Sequence, residues 1–404
     1  MDESGSVDVA VLGAGVVGLG IAWAAAQSGR TVRLIDSNPG TGATFAAAGM
    51  LAPVSELHFQ EEELLQLTLA SAALYPKFIQ SLPDADFPTG YRTTQTLVLG
   101  VDAADRQALA DLREVQLRHG LSVEPLTIRQ ARSLEPLLGP QLACAFSIHT
   151  DHQVDPRGLA ACLQAALTTH ASRNGWPDYA VRQNAAGLLH VDPTDHSSAV
   201  NGVELMDGSA VHATEVVVAN GLAAPGLTGL PESLNLPVRP VYGDILRLRV
   251  PAHLQPLLTA TVRGLVRGVP VYLVPREDGT VVLGATQREA GSAAVSAGGV
   301  YQLLRDAQAL LPAVAELELI EVTARARPGT PDNAPMLGRV AGARGEDIPG
   351  LIIATGFFRH GVLLTPIAAE ICCQLMDGLS DVGWKEYRPD RFSDALRKSF
   401  SDHH

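Results

Sequence analysis

The first hydrophobic run of the chain, VDVAVL at residues 7–12, is rich in β-branched residues and stops at Gly13, the pattern of a buried parallel strand. Residues 16–27 continue apolar at helical length, and 31–35 form a second short strand ending in Asp36. The spacing then changes. Leu64, Leu65, Leu67, Leu69, Ala72, Ala73 and Phe78 share one face of a helix predicted over 61–82, which Pro83 to Pro88 break. Residues 91–101 read as strand, 103–119 as a charged surface helix, 127–135 as another helix and 143–148 as strand. Asp155 caps and Pro156 opens a helix that reaches residue 170.

Beyond it, 179–183 read as strand, 188–191 and 200–205 as a hairpin, 211–212 as a short strand, and 215–221 as a buried parallel strand closed by a glycine turn. Residues 237–246 lead into a second sheet. There 269–276 and 280–286 alternate as strands around the turn Glu277, Asp278 and Gly279. A helix over 300–311 and a strand over 316–327 follow. Residues 350–366 give a buried strand, a glycine turn and the start of a helix that runs through 376.

Composition narrows the classes. At 404 residues the chain exceeds one ordinary domain, and 46% hydrophobic against 18% charged residues describes a well-buried protein. A net charge of -13 opposes nucleic-acid binding, which needs a basic surface. The apolar stretch 9–26 approaches the length of a membrane span, but glycines interrupt it and Met1, Asp2, Glu3 and Ser4 are acidic where a signal peptide is basic. No membrane span and a cytoplasmic location are expected. Cys144, Cys162, Cys372 and Cys373 lack metal-ligand or CxxC spacing, and there is no HExxH or nucleophile elbow. No metal site and no hydrolytic triad are expected.

The chemistry begins at Gly13, Gly15 and Gly18, which spell GxGxxG between the first strand and helix. Gly13 permits the tight turn, Gly15 lets a pyrophosphate approach the backbone, and Gly18 lets the helix pack on the strand. Amides of Val16 and Val17 at the helix start face the phosphates, and Asp36 has the spacing of a ribose-binding acid. After Ser37 and a turn, the stretch TGATFAAAGMLAP over 41–53 masses small residues, as backbone against a flat ligand requires.

These motifs resemble the FAD-dependent amine and amino-acid oxidases, the family that contains D-amino acid oxidase, sarcosine oxidase and glycine oxidase. The likeness extends from Val7 to about Met376 and is greatest to glycine oxidases of the thiamine-biosynthesis type. It implies an α/β fold: a Rossmann-like FAD-binding domain from 1–82, 152–222 and 328–394, and an α+β substrate domain on a mostly antiparallel sheet from 83–151 and 223–327. The resemblance places Ser37, Thr44, Ala47, Ala48, Gly49, Met50 and Leu51 along a noncovalent FAD, with Val181 near the adenine and Asn220 and Gly221 at the edge of the nucleotide site. Gly356, Arg359, His360, Gly361, Val362, Leu363 and Leu364 return to the flavin ring.

The stretch RPGTPD resembles the family motif whose arginine borders the ring and clamps the substrate carboxylate, which implies that role for Arg327, a task suited to a planar guanidinium fork. Tyr272 positions the substrate, and Arg359 reaches the same pocket. The implied reaction is oxidation of glycine, sarcosine or a small D-amino acid by oxygen, with hydrogen peroxide released and no nucleic-acid partner. Family habit allows a homo-oligomer. A dehydrogenase passing electrons to another carrier and a non-catalytic flavin-binding protein are the alternatives. The sequence leaves open the roles of Tyr242, Asp244, Gln287 and His360.

Overall fold

The computed structural model describes residues 6–83, 88–176, 178–289, 292–342, 345–379 and 383–393. The expected break between Pro83 and Pro88 lies largely outside those residues. The described strands form two eight-stranded sheets and a two-stranded ribbon.

Strand Val7–Leu12 is central to the first sheet. It runs parallel to Val32–Ile35 on one side and to Ala210–Val218 on the other, and Val9 to Leu12 are buried. Helix Val16–Gln27 is apolar all round because it is enclosed all round, by helices Pro156–Arg173 and Thr365–Met376 as well as by the sheet. The approach is close: a Cβ on Gly20 would lie 2.4 Å from Thr365 Cγ2. The apolar stretch 9–26 thus divides between a buried strand, a glycine turn and a core helix, and no described helix is long and apolar enough to cross a membrane.

One pair of predicted strands is a single element. Residues 211–212 and 215–218 belong to the continuous strand Ala210–Val218, which pairs antiparallel with Val200–Leu205 at its start and parallel with Val7–Leu12 and Asp347–Thr355 at its end, and the expected glycine turn follows at 219–221. The sequence pattern breaks at Thr214 because the strand passes from an exposed hairpin into the buried centre, while the backbone does not break. The expected cap is present: Asp155 accepts from the Arg157 amide and Pro156 opens the helix; Thr127 and Gln130 form a further capping box that the sequence reading did not include.

The second sheet has the order Glu318–Gly329, Arg239–Arg249, Thr280–Gly284, Val269–Pro275, Thr261–Val266, Thr96–Gly100, Cys144–Ile148 and Glu124–Leu126. All its pairs are antiparallel except Thr261–Val266 with Thr96–Gly100. Pairing along Glu318–Gly329 continues through Pro328 and Gly329 opposite Pro240 and Arg239, two residues past the expected return to the first domain. The ribbon joins Met50–Leu51 to His152–Gln153 between the sheets.

Asp151 fixes the loop that leaves this ribbon. Its fully buried carboxylate accepts from the Val54 and Ser55 amides at 3.1 and 2.8 Å. Burial pushes its pKa up to about 6, against the pull of the Ser55 and Val54 hydrogen bonds, from a reference value of 3.8. The folded state therefore holds this proton more tightly than the unfolded chain. The associated stability is present below pH 3.8 and is lost as pH rises through about 6. Asp151→Asn removes the titration, so the variant should gain roughly 3 kcal/mol relative to the parent between about pH 4 and about pH 7. Urea unfolding across that range measures it, and a pH-independent difference contradicts it.

Candidate active site between the two sheets

The sheets enclose an elongated cavity of about 660 Å³. At one end is the glycine turn after Val7–Leu12. Gly13 has φ +97°, and a Cβ there would lie 2.6 Å from the Ala219 carbonyl oxygen; a Cβ on Gly18 would lie 1.9 Å from that of Gly13. Both glycines are required by the fold itself. Gly15 differs, because its nearest neighbour is Thr44 Oγ1 at 3.4 Å and its backbone faces the cavity. Gly15 is the helix N-cap and has no side chain of its own to cap with, and the first turn carries no acid, so the positive helix end opens toward the cavity. Thr44 Oγ1 accepts from the Val16 amide at 3.0 Å.

Asp36 reaches the same wall while accepting from the Ala14 and Asn38 amides at 2.7 and 2.8 Å. A carboxylate has further lone pairs, which remain for a hydroxyl. Of the sequence-predicted residues, Gly13, Gly15, Val16, Val17, Thr44, Ala47, Ala48, Gly49, Met50, Asn220, Gly221, Tyr272, Arg327, Gly356, Arg359, His360, Gly361, Val362 and Leu363 also line the cavity. Five lie behind it. Gly18 packs on Gly13, and Leu51 and Leu364 are core residues. Ser37 donates to Asn184 Oδ1 at 2.8 Å, and the Val181 carbonyl accepts from the Asp36 amide at 3.0 Å.

The long wall is the small-residue segment 42–50, held by three arginines from three different elements. Arg157 donates to the Phe45 carbonyl at 2.8 Å with its guanidinium 3.5 Å from the Phe45 ring centroid; Arg325 donates to the Thr41 carbonyl at 3.0 Å; Arg276 donates to the carbonyls of Ala48 and Val154. Arg157 is itself fixed by a two-pronged pair with Glu321 at 3.0 and 2.5 Å. These bonds hold the Glu321 carboxyl down at about 2 despite its partial burial. Burial lowers Arg276 to about 10, which leaves it charged at neutral pH. Ala46 and Ala48 meanwhile pack on Ile245, Val274 and Val282 of the second sheet. Sequence reasoning passed over Arg276 and saw Arg157 only as part of a helix start. The signal was their position beside the DPRG and VYLVPR stretches.

Tyr272 and Arg327 meet at the other end, with the guanidinium in hydrogen-bonding reach of the hydroxyl. Burial raises the Tyr272 pKa against the opposing charge of Arg327, so the phenol stays protonated. Two glycines make room for the pair: a Cβ on Gly243 would lie 2.5 Å from Arg327 Nη1, and one on Gly284 would lie 2.2 Å from the Tyr272 hydroxyl. Among the described residues no carboxylate pairs with Arg327. Arg359 is different. It pairs with Glu61, and its Nε lies 3.4 Å from Glu56, so it lines the pocket with its fork already engaged.

Tyr242 and Gln287 also face the cavity. Asp244 instead anchors the neighbouring loop, accepting from Arg288 at 2.8 Å and Thr286 at 3.0 Å. His360 is pushed well below the ordinary histidine value by burial and then by the charge of Arg359, so it is neutral at pH 7. The described residues contain no cluster suited to a metal ion.

Residues 8–375 match the family described as FAD dependent oxidoreductase. The chain belongs to that family. It is 31% identical over 379 residues to the glycine oxidase of Geobacillus kaustophilus, covering 92% of this chain and 93% of that protein. It is 29% identical over 392 residues to the bifunctional protein ThiO/ThiG of Trichormus variabilis, covering 95% of this chain but only 55% of that one. The chain thus spans about half the length of that larger relative. Among solved structures, the Geobacillus kaustophilus glycine oxidase superposes with a TM-score of 0.82 at 28% identity, over 96% of this chain and 99% of that one. Iminodiacetate oxidase from Chelativorans superposes with a TM-score of 0.78 at 26% identity, over 94% and 98%. The FAD-dependent oxidoreductase fold is therefore shared throughout, as a Rossmann-like domain beside a domain on a mostly antiparallel sheet.

The residues present fit FAD. The open helix end at Gly15, the side-chain-free backbone facing the cavity there, and the small-residue wall over 42–50 form a cradle for a pyrophosphate followed by a flat ring. Gly15 has φ -69° and ψ 173°, which any residue adopts, and room for a methyl group. Gly15→Ala should therefore leave thermal unfolding of the apoprotein nearly unchanged while weakening FAD at least about tenfold, or about 1.4 kcal/mol. Gly18→Ala should destabilise the apoprotein itself. Parental FAD affinity in Gly15→Ala contradicts the placement of the pyrophosphate.

Proposed function

We propose that this chain oxidises a small amino acid, glycine or sarcosine before bulkier ones, at its α-carbon, and delivers the electrons to oxygen. The observation that carries the reading is Arg327, a guanidinium with no acid partner among the described residues, held beside the Tyr272 hydroxyl in the cavity that the FAD-type cradle opens into. The likeness to glycine oxidases supports it.

Arg327 binds the substrate carboxylate through two hydrogen bonds, and Tyr272, as a protonated phenol, donates a third. That clamp fixes the α-carbon with its C–H toward the small-residue wall, and such positioning supplies much of the rate. FAD, when bound, supplies the redox chemistry by accepting two electrons as a hydride from the α-carbon. The amine binds neutral, so no side chain has to remove a proton before the hydride leaves. The amino acid becomes an imino acid, which water converts to the keto acid or glyoxylate with loss of ammonia or methylamine. Oxygen takes up the two electrons and two protons as hydrogen peroxide. His58 is lowered by burial and then by Arg359, and His360 likewise, so both stay neutral and leave the substrate carboxylate to Arg327.

The cytoplasmic location belongs to the same proposal and is supported by four cysteines present as thiols. Noncovalent attachment is supported by their positions, since none lines the cavity. A homo-oligomer is the state we infer from family habit. Arg327→Ala should lower kcat/KM for glycine about 100-fold, roughly 3 kcal/mol, mainly through KM, with the FAD content and visible spectrum of the parent. Steady-state peroxide assays measure this, and parental kinetics in the variant contradict it.

A further inference from the structure

With Tyr272 the cavity wall carries three guanidiniums, Arg263, Arg327 and Arg359, and one carboxylate, Glu56, while a second, Glu61, pairs with Arg359 from outside the lining. Arg263 stands directly opposite Tyr272 across the pairing of strands Thr261–Val266 and Val269–Pro275, so both project from the same face. Glu56 pairs with Arg263 and also reaches Arg359 at 3.4 Å; Glu61 takes the rest of Arg359 and accepts from Asn333 Nδ2 at 2.8 Å. The side chains of Glu56 and Glu61 are 11% and 15% exposed.

The placement of these carboxylates is built in. Of the four non-glycine residues with left-handed backbone among those described, Gln60, Asn333 and Phe358 adjoin or belong to this cluster. Such conformations persist only where surrounding contacts enforce them. Burial alone would raise Glu61, but its bonds to Arg359 and Asn333 hold it below the ordinary range, and Arg263 is lowered by burial only to about 10. Glu61 and Arg263 are therefore charged at neutral pH, while His58 is not. Glu56 and Glu61 pair with Arg263 and Arg359, so of these three guanidiniums Arg327 alone faces the cavity without a carboxylate among the described residues.

We propose that Glu56 is a specificity-determining residue: by occupying Arg263, it matches the cavity to amino acids with a single carboxylate and excludes those with two. This rests on the amino-acid oxidase reading above. A second substrate carboxylate that reaches the Arg263 side of the cavity meets Glu56 instead of a free cation. Like charges in a partly desolvated site repel strongly. Glu56→Gln keeps the shape of the side chain and uncovers the buried charge of Arg263, so a dianionic substrate becomes the better complement.

The test uses FAD-loaded protein. Flavin difference spectra follow the binding of glycolate, a monoanion, and malonate, a dianion, and peroxide assays compare glycine with iminodiacetate. The parent should bind glycolate more tightly than malonate; malonate binding as tightly as glycolate in the parent overturns the proposal without recourse to a variant. In Glu56→Gln the malonate-to-glycolate affinity ratio and the iminodiacetate-to-glycine kcat/KM ratio should each rise at least about tenfold. Ratios within twofold of the parent overturn it. Glu56→Gln combined with Arg263→Met should lose the gain, and retention of the gain removes Arg263 from the account. Ligand titration needs no turnover, so carboxylate binding with the predicted ratios but no oxidation of any amino acid ends the oxidase reading and leaves the charge assignment standing.

Discussion

The structure depends on one arrangement, a ten-residue stretch of backbone held at its carbonyl oxygens. The carbonyls of Thr41, Phe45 and Ala48 each accept from a guanidinium, and the three arginines come from the second sheet and from a helix of the first domain. A carbonyl held this way cannot turn into the cavity, so the wall presents alanine and glycine faces. Arginine suits the work because its fork bonds two acceptors from a fixed plane: Arg276 ties Ala48 to Val154, and Arg157 ties Phe45 to Glu321. Thr44, in the middle of the stretch, caps the first amide of the nucleotide-type helix. The nucleotide end and the ring end of the cavity are thus set by the same few residues.

That arrangement explains why small residues occur where they do. Gly13 and Gly18 are required by protein packing, Gly15 by the ligand, and Gly243 and Gly284 by the pair Arg327 and Tyr272. The last two are on neighbouring strands of the second sheet, and each yields its side-chain volume to a functional group on the adjacent strand. The proposed substrate anchor is then fixed by the sheet rather than by a loop, and the small-residue wall by charged bonds from the same sheet and from helix Pro156–Arg173. The relative position of substrate and cofactor follows from packing that forms before either binds.

Much of this was legible in the sequence. The GxGxxG turn, Asp36, the small-residue segment, RPGTPD and the glycine turn before the last helix all stand on the cavity, because each is a local signal that its own chemistry demands. Three things were not legible. The continuity of Ala210–Val218 was hidden because burial changes along it. The pairing of Arg359 with Glu56 and Glu61 was hidden because these residues lie about three hundred positions apart and no local pattern links them. Arg263 was missed because its strand, Thr261–Val266, has no clear alternation beside a turn signal. Asp244, open in the sequence, is a loop anchor, since its carboxylate is fully buried beneath Arg288 and Thr286.

The central claim is that one cavity holds FAD along residues 42–50 and an amino acid on Arg327 beside it. Anaerobic mixing of the purified protein with glycine, followed by admission of air, tests it most directly. The account predicts a yellow protein that bleaches with the amino acid and regains its colour in air with one peroxide formed per glyoxylate. A protein that takes up no FAD, or a bound flavin that stays oxidised with glycine, sarcosine and small D-amino acids alike, contradicts it.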